Sequence, residues 1–76
     1  MAAPLSIRAE LATAIRRVNA EFARLPRAVQ DSLDLSFNDL DAELDRALLS
    51  DDRRRALLAI TSWRDHHLGQ IRRAGR

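Results

Sequence analysis

Asp65, His66 and His67 form the one run of adjacent side chains that could bind a metal or move a proton. Consecutive residues of a helix point about 100° apart, so this triplet cannot converge on a single ion. The residues four positions beyond the two histidines are Gln70 and Ile71, neither of which completes a His-x-x-x-His ligand pair. No Ser-His-Asp arrangement, glycine-rich phosphate loop or general acid/base pair is visible elsewhere. With no cysteine there is also no thiolate metal site and no disulfide framework. The expectation is a chain that is not an enzyme, with no cofactor, no metal and no small-molecule substrate. His67 and the single tryptophan, Trp63, fall on an apolar stripe, where packing is the simpler role for both.

The elements that would carry these residues are helical. Ile7, Leu11, Ile15, Val18, Phe22 and Leu25 recur at spacings of three and four, the period of one helix face. Ser6 suits the N-cap of this helix, and Pro26 ends it, because proline disfavours the helical conformation in the residue before it. Val29, Leu33, Phe37, Leu40, Leu44 and Leu48 continue the same rhythm beyond Pro26. Ser36 followed by Asp39 resembles a capping pair, but without a glycine or proline nearby one continuous helix is expected. Ser50, Asp51 and Asp52 read as the cap and acidic first turn of a third helix. Its stripe is Ala56, Leu57, Ile60, Trp63, His67, Leu68 and Ile71. The expected fold is all-α, a small antiparallel three-helix bundle ordered up-down-up. Residues 1–76 would form one domain, with helices about 5–24, 26–49 and 51–73. Folding back at the two turns pairs Leu11 with Leu40 and Trp63 with Phe37.

Seventy-six residues lie near the lower limit for folding around one apolar core. No apolar run is long enough to span a bilayer, and Met1–Arg8 lacks the basic and apolar regions of a secretory signal. A cytoplasmic location follows as an expectation. All 13 basic residues are arginine, a bias that GC-rich codon usage explains as readily as phosphate binding does.

Charge is segregated along the chain. Residues 1–25 carry +2, residues 26–52 carry −6 and residues 53–76 carry +6. Antiparallel packing would set Arg17 near Asp34, Arg8 near Glu43, and Arg72 and Arg73 near Asp31, so that much of the polarity is neutralised internally. Arg53 and Arg54 at one end of the third helix, with Arg72 and Arg73 at the other, form a candidate nucleic-acid contact. The segment Phe37–Asp45 is too anionic to serve as a recognition helix in a major groove.

Apolar residues off the core stripe point to a protein partner. Ala28, Leu35, Ala42 and Leu49 recur every seven residues on the outer face of the expected second helix, and Leu58 is off-stripe on the third. The expected protein-binding set is Leu35, Asp39, Ala42, Leu49 and Leu58. The function expected is a protein–protein interaction module of bacterial or phage type: an adaptor, an antitoxin-like regulator or an inhibitor. A homodimer through the second helix is a further expectation. The alternatives are nucleic-acid binding through Arg53, Arg54, Arg72 and Arg73, or an acidic mimic of nucleic acid that blocks a nucleic-acid-processing partner.

Overall fold

A computed structural model describes residues 6–75, and among them every regular element is helical. There are four helices: α1 (Ile7–Ala23), α2 (Arg27–Ser32), α3 (Asn38–Leu49) and α4 (Arg53–Ala74). The expected start of the first helix at residue 5 lies outside the described residues. Helix α1 opens as its sequence suggests, with the Ser6 Oγ accepting the Ala9 N–H at 3.0 Å. It closes just before Pro26, and the Gln30 side chain donates to the Leu25 carbonyl at 2.9 Å, covering an end the helix leaves open.

The stretch 26–49, expected as one helix, is two. Between α2 and α3 the backbone is non-helical: Leu33 is extended at φ −101° and ψ 138°, and the helical conformation returns at Phe37. Leu33 and Leu35 are half-buried while Asp34 between them is exposed, the two-residue alternation of an extended segment. The cause is tertiary. The Trp63 Nε1–H donates to the Ser36 carbonyl at 3.0 Å, and the His67 Nε2 stands 3.3 Å from the same oxygen. In a continuous helix that carbonyl would accept the Leu40 N–H, and two buried rings would compete for an occupied acceptor. Leaving a buried donor unpaired costs about 1–3 kcal/mol, comparable to the helical bonds given up. The Ser36 Oγ accepts the Asn38 N–H at 3.3 Å, but the N-cap of α3 is Phe37, which makes no side-chain capping bond, so the Ser36/Asp39 pair lies beside the helix start without forming the expected cap.

From Asn38 the core face keeps Leu40 and Leu44 and continues to Ala47, since Leu48 lies about 80° round the helix from Leu40. Leu40, Leu44 and Ala47 are buried, whereas Leu48, expected in the core, is 60% exposed and Phe37 is at the edge. Phe37 nonetheless stacks on Trp63 with ring centroids 5.1 Å apart, the pairing expected from the register. The turn Ser50–Asp52 joins α3 to α4. Asp51 occupies the left-handed region at φ 51°, and Asp52, not Ser50, caps α4 by accepting the Arg55 N–H at 3.0 Å. Asp51 and Asp52 thus precede the first turn of α4 instead of forming it.

Helix α4 is the centre of the molecule, and its main neighbours are α1 and α3. Partners on α3 and α4 run in opposite directions, from Glu43 with Arg55 to Ser36 with Trp63 and His67. Leu25 lies against Gly75, so the C-terminal ends of α1 and α4 sit side by side. Ala14 and Val18 of α1, the three α3 residues, and Ala56, Ile60, Trp63, Leu68 and Ile71 of α4 make the core. The Cα atoms extend 41 × 29 × 14 Å with a radius of gyration of 13.9 Å. A compact chain of this length would have a radius near 11 Å, so the helices form a broad, thin layer.

Candidate functional site

The broad layer leaves a groove of about 630 Å³ along one side of the α3–α4 pair. Its floor is Leu40, Trp63 and His67, all buried core residues. The α4 wall is the row Leu58, Ser62, His66 and Gln70, with Ala59 beside it. Four-residue spacing aligns these side chains as one ridge of the helix. Asp39 and Glu43 form the facing ridge on α3, and Asp34 and Ser36 of the extended segment close one end. From Arg55 to Gln70 the groove follows α4 for about 22 Å, at 1.5 Å per residue.

Charge is distributed unevenly along the groove. At one end Glu43 is held between two guanidiniums, Arg46 at 3.1 Å and Arg55 at 3.4 Å. Asp34 and Asp39 have no cationic partner within 4.0 Å among the described residues, and neither do Asp41 and Asp45 farther along α3. The cross-helix neutralisation expected from sequence is absent there. Arg27 pairs with Asp31 and Arg46 with Glu43, each within one helix, while Arg17, Arg8, Arg72 and Arg73 reach none of the acids assigned to them. Asp34 lies in the segment that leaves the helix, and Glu43 is engaged by Arg46 and Arg55 instead.

The two histidines have different surroundings. His67 is 5% exposed, and its Nε2 must donate, because the Ser36 carbonyl can only accept. Its Nδ1 lies 2.8 Å from the Gln70 Oε1, a contact that becomes a hydrogen bond alongside the Nε2–H donation when the Gln70 amide presents its NH2 instead. These bonds fix the ring as a structural cross-link between α4 and the extended segment. His66 is exposed on the groove wall, and Asp65 is engaged by Arg64 at 3.0 Å. Among the described residues no three His, Cys, Asp or Glu side chains could share a metal ion.

The structure redistributes the residues singled out in the sequence. It brings Asp39 and Leu58 together on opposite walls of the groove. Leu35, expected on the outer face of the second helix, instead packs half-buried against the core, where the segment between α2 and α3 turns it inward. Ala42 and Leu49 are exposed on α3 outside the groove, Leu49 at 88%. Ala28 is on the separate helix α2, so the seven-residue seam is interrupted. Arg53, Arg54, Arg72 and Arg73 are exposed and carry no ion pair among the described residues. Their two clusters stand about 28 Å apart along α4. Ser62, His66 and Gln70 were not singled out as partner-binding, although their four-residue spacing from Leu58 was readable. No described helix is long and apolar enough to cross a membrane. Comparison with protein-family models, with curated proteins and with solved structures returns no match, so the site stands on its geometry.

Proposed function

We propose that this chain is a non-enzymatic protein-interaction module that takes its partner through the groove between α3 and α4, as an adaptor, an antitoxin-like regulator or an inhibitor. One observation carries the reading: an open groove with Leu58 59% exposed on one wall and the unpaired Asp39 on the other. A solvent-facing apolar side chain opposite an uncompensated acid is the composition of a contact with a desolvated centre and a charged rim. In this reading α1, the α2–α3 arm and α4 form the up-down-up trio of one small cytoplasmic domain. Self-association through Ala42 and Leu49 is the competing use of the outer face of α3.

The test is site-specific photocrosslinking from Ser62 in the groove and, as a comparison, from Asn19, exposed on α1. A protein adduct formed from Ser62 and lost in Leu58→Arg supports the reading. Equal adducts from both positions, or none from Ser62, would remove the groove as the docking site. Nucleic-acid binding through Arg53, Arg54, Arg72 and Arg73 remains the second reading, supported by the absence of carboxylate partners at those four side chains. It requires an affinity that falls steeply with salt and disappears when the four are neutralised.

A further inference from the structure

We infer that the occupant of the α3–α4 groove is a cationic amphipathic helix, an inference that deepens the proposed function and rests on it. Shape supplies the first argument. The groove is bounded by two helical ridges, Leu58–Ser62–His66–Gln70 on α4 and Asp39–Glu43 on α3. A cleft between such ridges is the seat into which the ridge of another helix packs. Ala59 and Ser62 are small, so a third backbone can approach α4 closely there. The length of about 22 Å accommodates roughly four helical turns, or about 15 residues. The molecule is twice as wide as it is thick, at 29 against 14 Å, so this side of α4 has room for a second layer.

Charge supplies the second argument and decides the sign of the occupant. The arginine on the α4 wall, Arg55, is already engaged with Glu43. On the α3 side Asp34 and Asp39 have no cation within 4.0 Å among the described residues and both line the groove, whereas Asp41 and Asp45 point away from it. Asp39 also stands four residues from Glu43, a spacing at which two carboxylates on one helix face repel. A helix with lysine or arginine along the flank that meets α3 would relieve this repulsion, whereas a nucleic acid or an acidic helix would increase it. The apolar positions of such a helix, at i, i+3 or i+4, and i+7, would cover Leu58, Ala59 and the exposed edge of Trp63.

Selection of a tryptophan-free library of helix-forming peptides of about 16 residues against the full chain tests this directly. Trp63 is the sole tryptophan and forms the groove floor, so its emission reports occupancy. The expected winners carry apolar residues at helical spacing and basic residues on one flank. Their affinity should fall about tenfold in Asp34→Asn/Asp39→Asn and further in Leu58→Arg. All three side chains are exposed, and circular dichroism verifies that the variants remain folded. Winners that need Leu58 but are acidic, or lack helical periodicity, would overturn the cationic helix and leave the docking groove in place. An absence of any peptide whose binding depends on Leu58 would overturn both. Sedimentation that shows a dimer dissolved by Leu58→Arg would assign the groove to a second copy of this chain and reject the peptide partner.

Discussion

Proline at position 34 separates a broken second arm from a continuous one. Asp34 is exposed, so replacing it removes no packed side chain. Its N–H donates to no acceptor among the described residues. Leu33 before it is already extended, at φ −101° and ψ 138°, the conformation that a following proline requires. At such a site proline mainly restricts the unfolded chain and stabilises by about 0.4–1 kcal/mol. Inside a continuous helix 26–49 the same substitution would delete a backbone bond, clash with the preceding turn and cost about 3 kcal/mol or more. A domain of this length has about 4–11 kcal/mol of stability in all, so the two outcomes are well separated. Urea unfolding followed by far-ultraviolet circular dichroism and by Trp63 emission measures the difference. With Leu33 already extended, the midpoint of Asp34→Pro is expected to stay level or rise, with the slope unchanged. A loss near 3 kcal/mol, or a slope that changes, would refute the argument that Trp63 and His67 hold the segment open through the Ser36 carbonyl.

Trp63→Phe keeps an aromatic ring for Phe37 but removes the donor to Ser36. Together with the lost ring volume it should cost roughly 1–3 kcal/mol in thermal or urea unfolding. Near-neutral behaviour would show that the hydrogen bond does not organise the segment. Asp52→Ala, which uncaps α4, should cost about 0.5–2 kcal/mol, whereas Ser50→Ala should cost less, because Asp52 makes the capping bond. Comparable losses for the two would restore Ser50 as the cap. Asp51→Gly should be neutral or mildly stabilising, and Asp51→Val destabilising by about 1 kcal/mol or more, because only the first relieves a left-handed residue. Leu40→Ala should lower stability by about 2–5 kcal/mol while Leu49→Ala stays within about 0.5 kcal/mol, a contrast between a core and a surface leucine that chemical unfolding resolves.

The periodicity of Ile7–Leu25 and of Ala56–Ile71 determines α1 and the core face of α4, because an amphipathic stripe needs nothing beyond its own spacing. Ser6 and Pro26 likewise mark the bounds of α1 through local backbone chemistry. The Phe37–Trp63 stack was accessible too, since the register follows from where the chain turns. Of the groove, Asp39 and Leu58 stood out in the sequence, whereas Ser62, His66 and Gln70, although spaced by four from Leu58, did not, because polar residues on an exposed face give no hydrophobic signal that marks them.

What the tertiary structure alone decided is the segment 33–37. Helical spacing runs through it without interruption, and no glycine or proline announces a break. The break is set by donors 27 and 31 residues away, the Trp63 and His67 ring nitrogens that converge on one backbone carbonyl. That long-range demand turns Leu35 inward and leaves Asp34 and Glu43 away from the α1 arginines expected beside them. Local propensity cannot register it, because the cost of an unpaired buried ring nitrogen arises only once the helices are packed.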